Sequence, residues 1–262
     1  MKELRSYIRG IDDSKERIDA LKDSCKGETA YLITCGPTLT THDREELIKK
    51  LDGKLVLACK QAYDYVKEVA TFHLLSVYNY QDYTYHSEDT IRHWQLTAMN
   101  VQGELDRINK WGQRIDMMIP VYSTPWVQKF QTTAYTRNFD NWNQYKDGQA
   151  IWGPGIMYES GFPLALHLGC KDIVTIGWDI GDLSRYDSTD NMAFDSDWTG
   201  QHATDLYKAE TGMGPEYEEL KNTIECTKEM HDWFVTKGIN VRILSDTSPA
   251  DERFERIKLQ DI

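Results

Sequence analysis

Four polar segments of the sequence each follow directly on a short apolar run. In α/β proteins that is where side chains and backbone amides meet ligands. The first is Cys35-Gly36-Pro37-Thr38-Leu39. A glycine directly after a buried strand lets the backbone approach a ligand closely, and the amides that follow can face a phosphate. The segment is neither a G-x-G-x-x-G fingerprint nor a P-loop, since no Gly-Lys-Ser/Thr follows, and an ordinary tight turn reads the same. The second is Lys60-Gln61, a pair suited to a phosphate or a base edge, or to a solvated loop. The third is Tyr78-Asn79-Tyr80, in which Asn79 offers both a donor and an acceptor to a base or ribose, or simply forms a turn. The fourth is Trp178-Asp179-Ile180-Gly181-Asp182, whose carboxylates suit sugar hydroxyls or a metal, with a cap or turn as the alternative use of Asp179.

Seven histidines are present. His73 and His167 lie inside apolar patterns and read as packed residues. His202 lies in the polar stretch Trp198-Thr199-Gly200-Gln201-His202, where an imidazole could act as a general base near neutral pH. No H-E-x-x-H, G-x-S-x-G or kinase signature occurs.

The elements that must position these residues follow from the apolar pattern. Ala30–Cys35, Lys54–Cys59 and Phe72–Val77 are runs apolar on both faces, which predicts buried parallel strands. Between them, Thr41 or Asp43 caps a helix running through Leu47, and Ala62–Val69 holds a short one. The first eighty residues therefore read β-α-β-α-β, a parallel sheet with helices over both faces. Before them, residues 1–26 form a helical extension with apolar positions at Leu4, Ile8, Ile11, Ile18 and Leu21. Residues 80–150 are rich in Tyr, Trp, Asn and Gln and show little periodicity beyond a strand at Ile115–Val121; they read as an aromatic-rich insert with long loops. Order returns with an apolar helix over Gly155–Leu168, ended by Gly169, and a strand over Asp172–Gly177. Last come an amphipathic helix over Glu216–Thr236 and a strand over Asn240–Leu244. The chain reads as one domain over residues 1–262.

With 42 acidic against 30 basic residues the net charge is −12, which repels phosphate backbones and anionic lipid and disfavours nucleic acid and membrane as partners. Five cysteines in no C-x-x-C pair imply neither disulfides nor zinc, and hence a reducing, cytoplasmic compartment. No apolar run approaches the ~20 residues of a membrane span.

A strand ending in Gly-Pro-Thr-Leu, a strand ending in Cys-Lys-Gln-Ala and a third reaching Tyr-Asn resemble the bacterial sialyltransferases of glycosyltransferase family 42. The stretch LALHLGCKDIVTIGWD is similar to the helix, Leu-Gly turn, strand and Gly-x-Asp of that family. The MptE-like and motility-accessory-factor proteins share the Gly-Pro-Ser/Thr-Leu turn and the Gly-x-Asp element. The resemblance covers roughly residues 30–80 and 150–250. It implies a Rossmann-like, mostly parallel sheet with helices on both faces, a single-domain variant of the GT-A type.

The resemblance further implies that Gly36, Pro37 and Thr38 face the phosphate and ribose of a CMP-sugar, and that Gln61 and Asn79 bind the nucleotide. Lys60 stands where the family usually has Asn. Gly153 and Gly155 stand for the family's Ser-Gly before the long helix. Asp179 matches the aspartate expected near the cytidine ribose, Tyr186 a tyrosine that assists the departing phosphate, and His202 the catalytic base. The implied reaction is metal-independent, inverting transfer of a sialic-acid-like sugar from CMP to a glycan acceptor, with no resident cofactor. An MptE-like reading implies instead Mg²⁺-dependent pyrophosphate transfer from ATP to a pterin-type alcohol, with carboxylates such as Asp179 and Asp182 at the metal. A third reading is a binding module for nucleotide or glycan without turnover. Trp94, Trp111, Trp126, Trp142 and Trp152 could stack an acceptor sugar, or serve the core or contacts in a homo-oligomer.

Overall fold

The computed structural model describes residues 2–77, 90–97, 100–122, 139–140, 149–150, 156–179 and 217–262. These form nine strands: β1 (Thr29–Ile33), β2 (Leu55–Cys59), β3 (Phe72–Ser76), β4 (Ile91–Thr97), β5 (Met117–Tyr122), β6 (Gln149–Ala150), β7 (Asp172–Ile176), β8 (Asn240–Leu244) and β9 (Glu255–Arg256). They make one sheet in the order β6-β5-β4-β3-β2-β1-β7-β8-β9, and every neighbouring pair is parallel. Ala30 to Ile33 and all of β2 are buried, as strands covered on both faces must be.

One face is covered by α1 (Lys2–Arg9), α2 (Ser14–Leu21), a π-turn at Met157–Gly161 that runs into α6 (Phe162–His167), and α7 (Tyr217–Thr236). Ile8, Leu21, Phe162, Leu164 and Met230 meet Leu32, Leu57 and Leu74 there. The other face carries α3 (Arg44–Leu51), α4 (Ala62–Val66) and α5 (Val101–Lys110), with Leu47, Tyr63 and Ile108 packed on strand residues of opposite alternation. This is a three-layer α/β fold of Rossmann-like form. Asp43, rather than Thr41, caps α3, its carboxylate accepting the Glu46 amide at 2.8 Å.

Two stretches differ from the sequence pattern. Residues 80–150, expected as an insert with one strand at Ile115–Val121, contribute that strand as β5 and, beyond it, β4 and β6 to the sheet itself and α5 beside it. The segment expected as one regular helix over Gly155–Leu168 opens as the π-turn, and α-helical hydrogen bonding starts only at Phe162, with Pro163 in its first turn. Among the described residues no helix is long and apolar enough to cross a membrane.

Candidate functional site at the carboxyl end of the sheet

Strand order sets the location. From β1 the chain steps outward through β2, β3, β4, β5 and β6, then returns to the other side of β1 as β7. The turns after β1 and β7 therefore leave in opposite directions, and in open parallel sheets ligands bind in the crevice outside the strand ends at such a reversal.

The two turns lock together. The Gly36 amide donates to Gly177 O at 3.0 Å, and a methyl group on Gly36 would overlap Gly177 O and the Asp179 carboxylate. Gly177 takes φ +77° and packs as closely on Thr34 O, which accounts for glycine at both positions. Pro37–Thr41 then forms a 3₁₀ turn. The Thr38 amide donates to Asp179 Oδ2 at 2.8 Å, and its hydroxyl reaches both carboxylate oxygens at 2.8 and 2.9 Å. Thr38 and Asp179 are both buried, and this carboxyl takes two of its hydrogen bonds from the neutral amide and hydroxyl of Thr38. Behind it, the Trp178 indole N–H donates to the Tyr158 hydroxyl at 2.7 Å, and the Ser248 hydroxyl donates to Trp178 O.

After β2, Lys60 has φ +49°, a conformation that side chains other than glycine rarely take. Its amide donates to Leu74 O and its carbonyl accepts the His73 ring nitrogen at 2.8 Å, so His73 is a packed residue that props this turn. The reversal of backbone hand turns the amides of Gln61 and Ala62 toward the Cys35 thiol. Burial, only partly offset by these amides and the Lys60 charge, pushes that thiol up to about 11. Gln61 is 4% exposed, and its side-chain amide makes no hydrogen bond among the described residues.

The structure thus brings Gly36, Pro37, Thr38 and Asp179 into contact and sets Lys60 and Gln61 on the neighbouring strand end. Asn79, Gly153, Gly155, Asp182, Tyr186 and His202 lie outside the described residues, as do Trp126, Trp142 and Trp152. Trp94 is fully buried in the core, its indole donating to Arg114 O at 3.0 Å, and the half-buried Trp111 packs against its cluster. His167 is a packed residue whose ring nitrogen meets Ile18 O. All five cysteines are thiols.

Two features escaped the sequence pattern. Glu159 and Ser160, both buried in the π-turn, flank Gln95 of β4: Gln95 Nε2 donates to Glu159, and the Ser160 hydroxyl donates to Gln95 Oε1 at 2.9 Å. His42, at the end of the 3₁₀ turn, places its Nε2 3.3 Å from Leu244 O. Its neighbourhood to Thr38 in sequence was the available signal. No group of three or more His, Cys, Asp or Glu side chains able to hold a metal lies among the described residues. No family model matches the chain, and no curated protein matches it in sequence.

Proposed function

We propose that the chain binds a nucleotide-activated sugar of the CMP-sialic-acid kind at the carboxyl ends of β1, β2 and β7, and transfers the sugar to a glycan hydroxyl. The observation that carries this reading is the Thr38–Asp179 contact, which joins the Gly-Pro-Thr turn and the Gly-x-Asp element across 141 residues of sequence. These are two of the motifs on which the resemblance to family 42 rests. In this reading the clamp fixes the Gly36–Thr41 turn as the floor under the phosphate and ribose, and Gln61, whose side chain does not cap α4, offers its amide to the nucleotide. The acceptor hydroxyl gives its proton to His202 as its oxygen attacks the anomeric carbon. The bond from that carbon to the phosphate oxygen breaks with inversion, and CMP leaves with the bonding pair. Stabilising the charge that develops on the phosphate is the main catalytic demand.

The test is a titration with CMP, CDP, UDP, GDP and ATP, each with Mg²⁺ or EDTA, read by melting temperature. A melting shift with CMP that survives EDTA supports the proposal and justifies assaying CMP-sugar donors. Stabilisation by ATP only with Mg²⁺ replaces it with pyrophosphate transfer. Silence toward every nucleotide ends it.

A further inference from the structure

A phosphate at the end of β1 needs positive charge or free donors, and the donors of the turn there are engaged. The Gly36 amide donates to Gly177 O, Pro37 has no N–H, the Thr38 amide and hydroxyl go to Asp179, and the Leu39 amide returns to Gly36 O at 3.0 Å. The Thr40 hydroxyl closes on Pro37 O at 3.0 Å and the Thr41 hydroxyl on Thr38 O at 2.8 Å. Asp179 also brings a carboxylate against Gly36, which opposes an anion. The attraction for a phosphate must therefore come from a neighbouring strand end.

The end of β2 supplies a cation. The register pairs Ile33 with Ala58, so Lys60 comes level with Cys35, the residue before Gly36. Its backbone is held on both sides: the amide donates to Leu74 O at 2.9 Å, and the carbonyl accepts from His73 Nε2 at 2.8 Å. The side chain is half-buried, and among the described residues no carboxylate pairs with its ammonium. Its charge reaches the Cys35 thiol, where it outweighs the opposing charge of Asp64. At φ +49° lysine is a costly choice, since glycine and asparagine take that conformation more readily. Strain of this kind points to a use for the side chain.

We infer that Lys60 binds the phosphate of the donor, its ammonium pairing with the phosphate oxygens, so that the site selects a nucleotide over the nucleoside. The inference rests on the proposed donor reading and narrows it, giving Lys60 the phosphate rather than the base. As the bond from the anomeric carbon to the phosphate oxygen breaks, the electron pair stays on the phosphate and its negative charge grows. A fixed ammonium then attracts the departing CMP more strongly than the intact donor, which favours the transition state over the ground state. No proton leaves Lys60 in the step.

The experiment is calorimetric titration of the wild-type chain and of Lys60→Asn with CMP and with cytidine, at low and at raised salt, with a melting temperature for each protein. Asparagine accepts positive φ, so Lys60→Asn should fold and melt at the wild-type temperature or above it. It should bind CMP about 10–100-fold more weakly than the wild type. Cytidine should bind the wild type at least about 10-fold more weakly than CMP, since it lacks the charged partner. Added salt should weaken CMP binding to the wild type and leave what remains in Lys60→Asn nearly unchanged. CMP bound equally by the two proteins, a loss in Lys60→Asn with the wild-type salt dependence, or cytidine bound as tightly as CMP overturns the inference and spares the donor reading. Failure of the wild type to bind CMP overturns both.

Discussion

Thr38 and Asp179 are the residues at which local chemistry and tertiary structure meet. Removing the hydroxyl in Thr38→Val leaves a buried carboxylate with one donor fewer, at a cost of about 1–3 kcal/mol. Chemical denaturation should register that loss, and any melting shift given by CMP should shrink with it. Gly36→Ala is harsher, because the new methyl meets backbone oxygen and carboxylate with no room to yield. It should destabilise by roughly 3 kcal/mol or more, and a melting temperature within 1–2 °C of wild type would show that the two turns are not interlocked as described. The Cys35 thiol, held up at about 11 by burial, should react with a disulfide reagent at pH 8 on the order of 100-fold more slowly than an unhindered thiol. The importance of Gly36 was legible in the sequence; the reason was not. Its neighbours there are Cys35 and Pro37, whereas what excludes a side chain is Gly177 and Asp179, brought in by the pairing of β1 with β7.

At the scale of elements, β4 was hidden because two of the three buried positions on the Ile91 face are polar. His93 and Gln95 face the helical layer as Ile91 does, and are accommodated there by burial and by Glu159 and Ser160 of the π-turn. No local rule announces that a strand's polar residues will be matched by a segment more than sixty residues away. His93 is fully buried, and burial holds its imidazole down to about 4. An unfolded histidine titrates near 6.5, so between those values the unfolded chain takes up a proton that the folded one refuses. Stability is therefore complete above about pH 6.5, falls as the pH drops toward 4, and loses about 3 kcal/mol over that window from this residue alone. His167, lowered by burial as well, acts in the same direction. Melting temperature followed from pH 7 to 4 should show this decline, and His93→Gln should flatten it; an unchanged slope would assign acid sensitivity elsewhere.

Across the whole molecule, the N-terminal helices are fastened under the sheet by arginines rather than by apolar packing alone. Arg9 and Arg114 both donate to Thr90 O, at 3.1 and 2.9 Å, and both approach Asp116, whose carboxylate also accepts the Arg92 amide at 2.8 Å. Arg17 joins Ile11 O to Asp116 O. Asp116 is 3% exposed, so Asp116→Asn, which removes the charge but keeps the shape, should destabilise by about 2–4 kcal/mol. A loss below about 0.5 kcal/mol in urea unfolding would show that the carbonyl contacts suffice.

The sequence by itself determined the class of fold. Apolar runs covered on both faces and alternating with helices allow little but a parallel sheet between two helical layers, because each run must hide both sides of its strand from water. It also marked the turns at Gly36 and Asp179 as the polar ends of buried strands. Tertiary structure alone decided which strand ends are neighbours: nothing local to Thr38 specifies Asp179, and nothing local to His42 specifies Leu244 O. Those partners are fixed by strand order, and strand order is settled by how the described strands and helices together bury the apolar clusters on the two faces of the sheet.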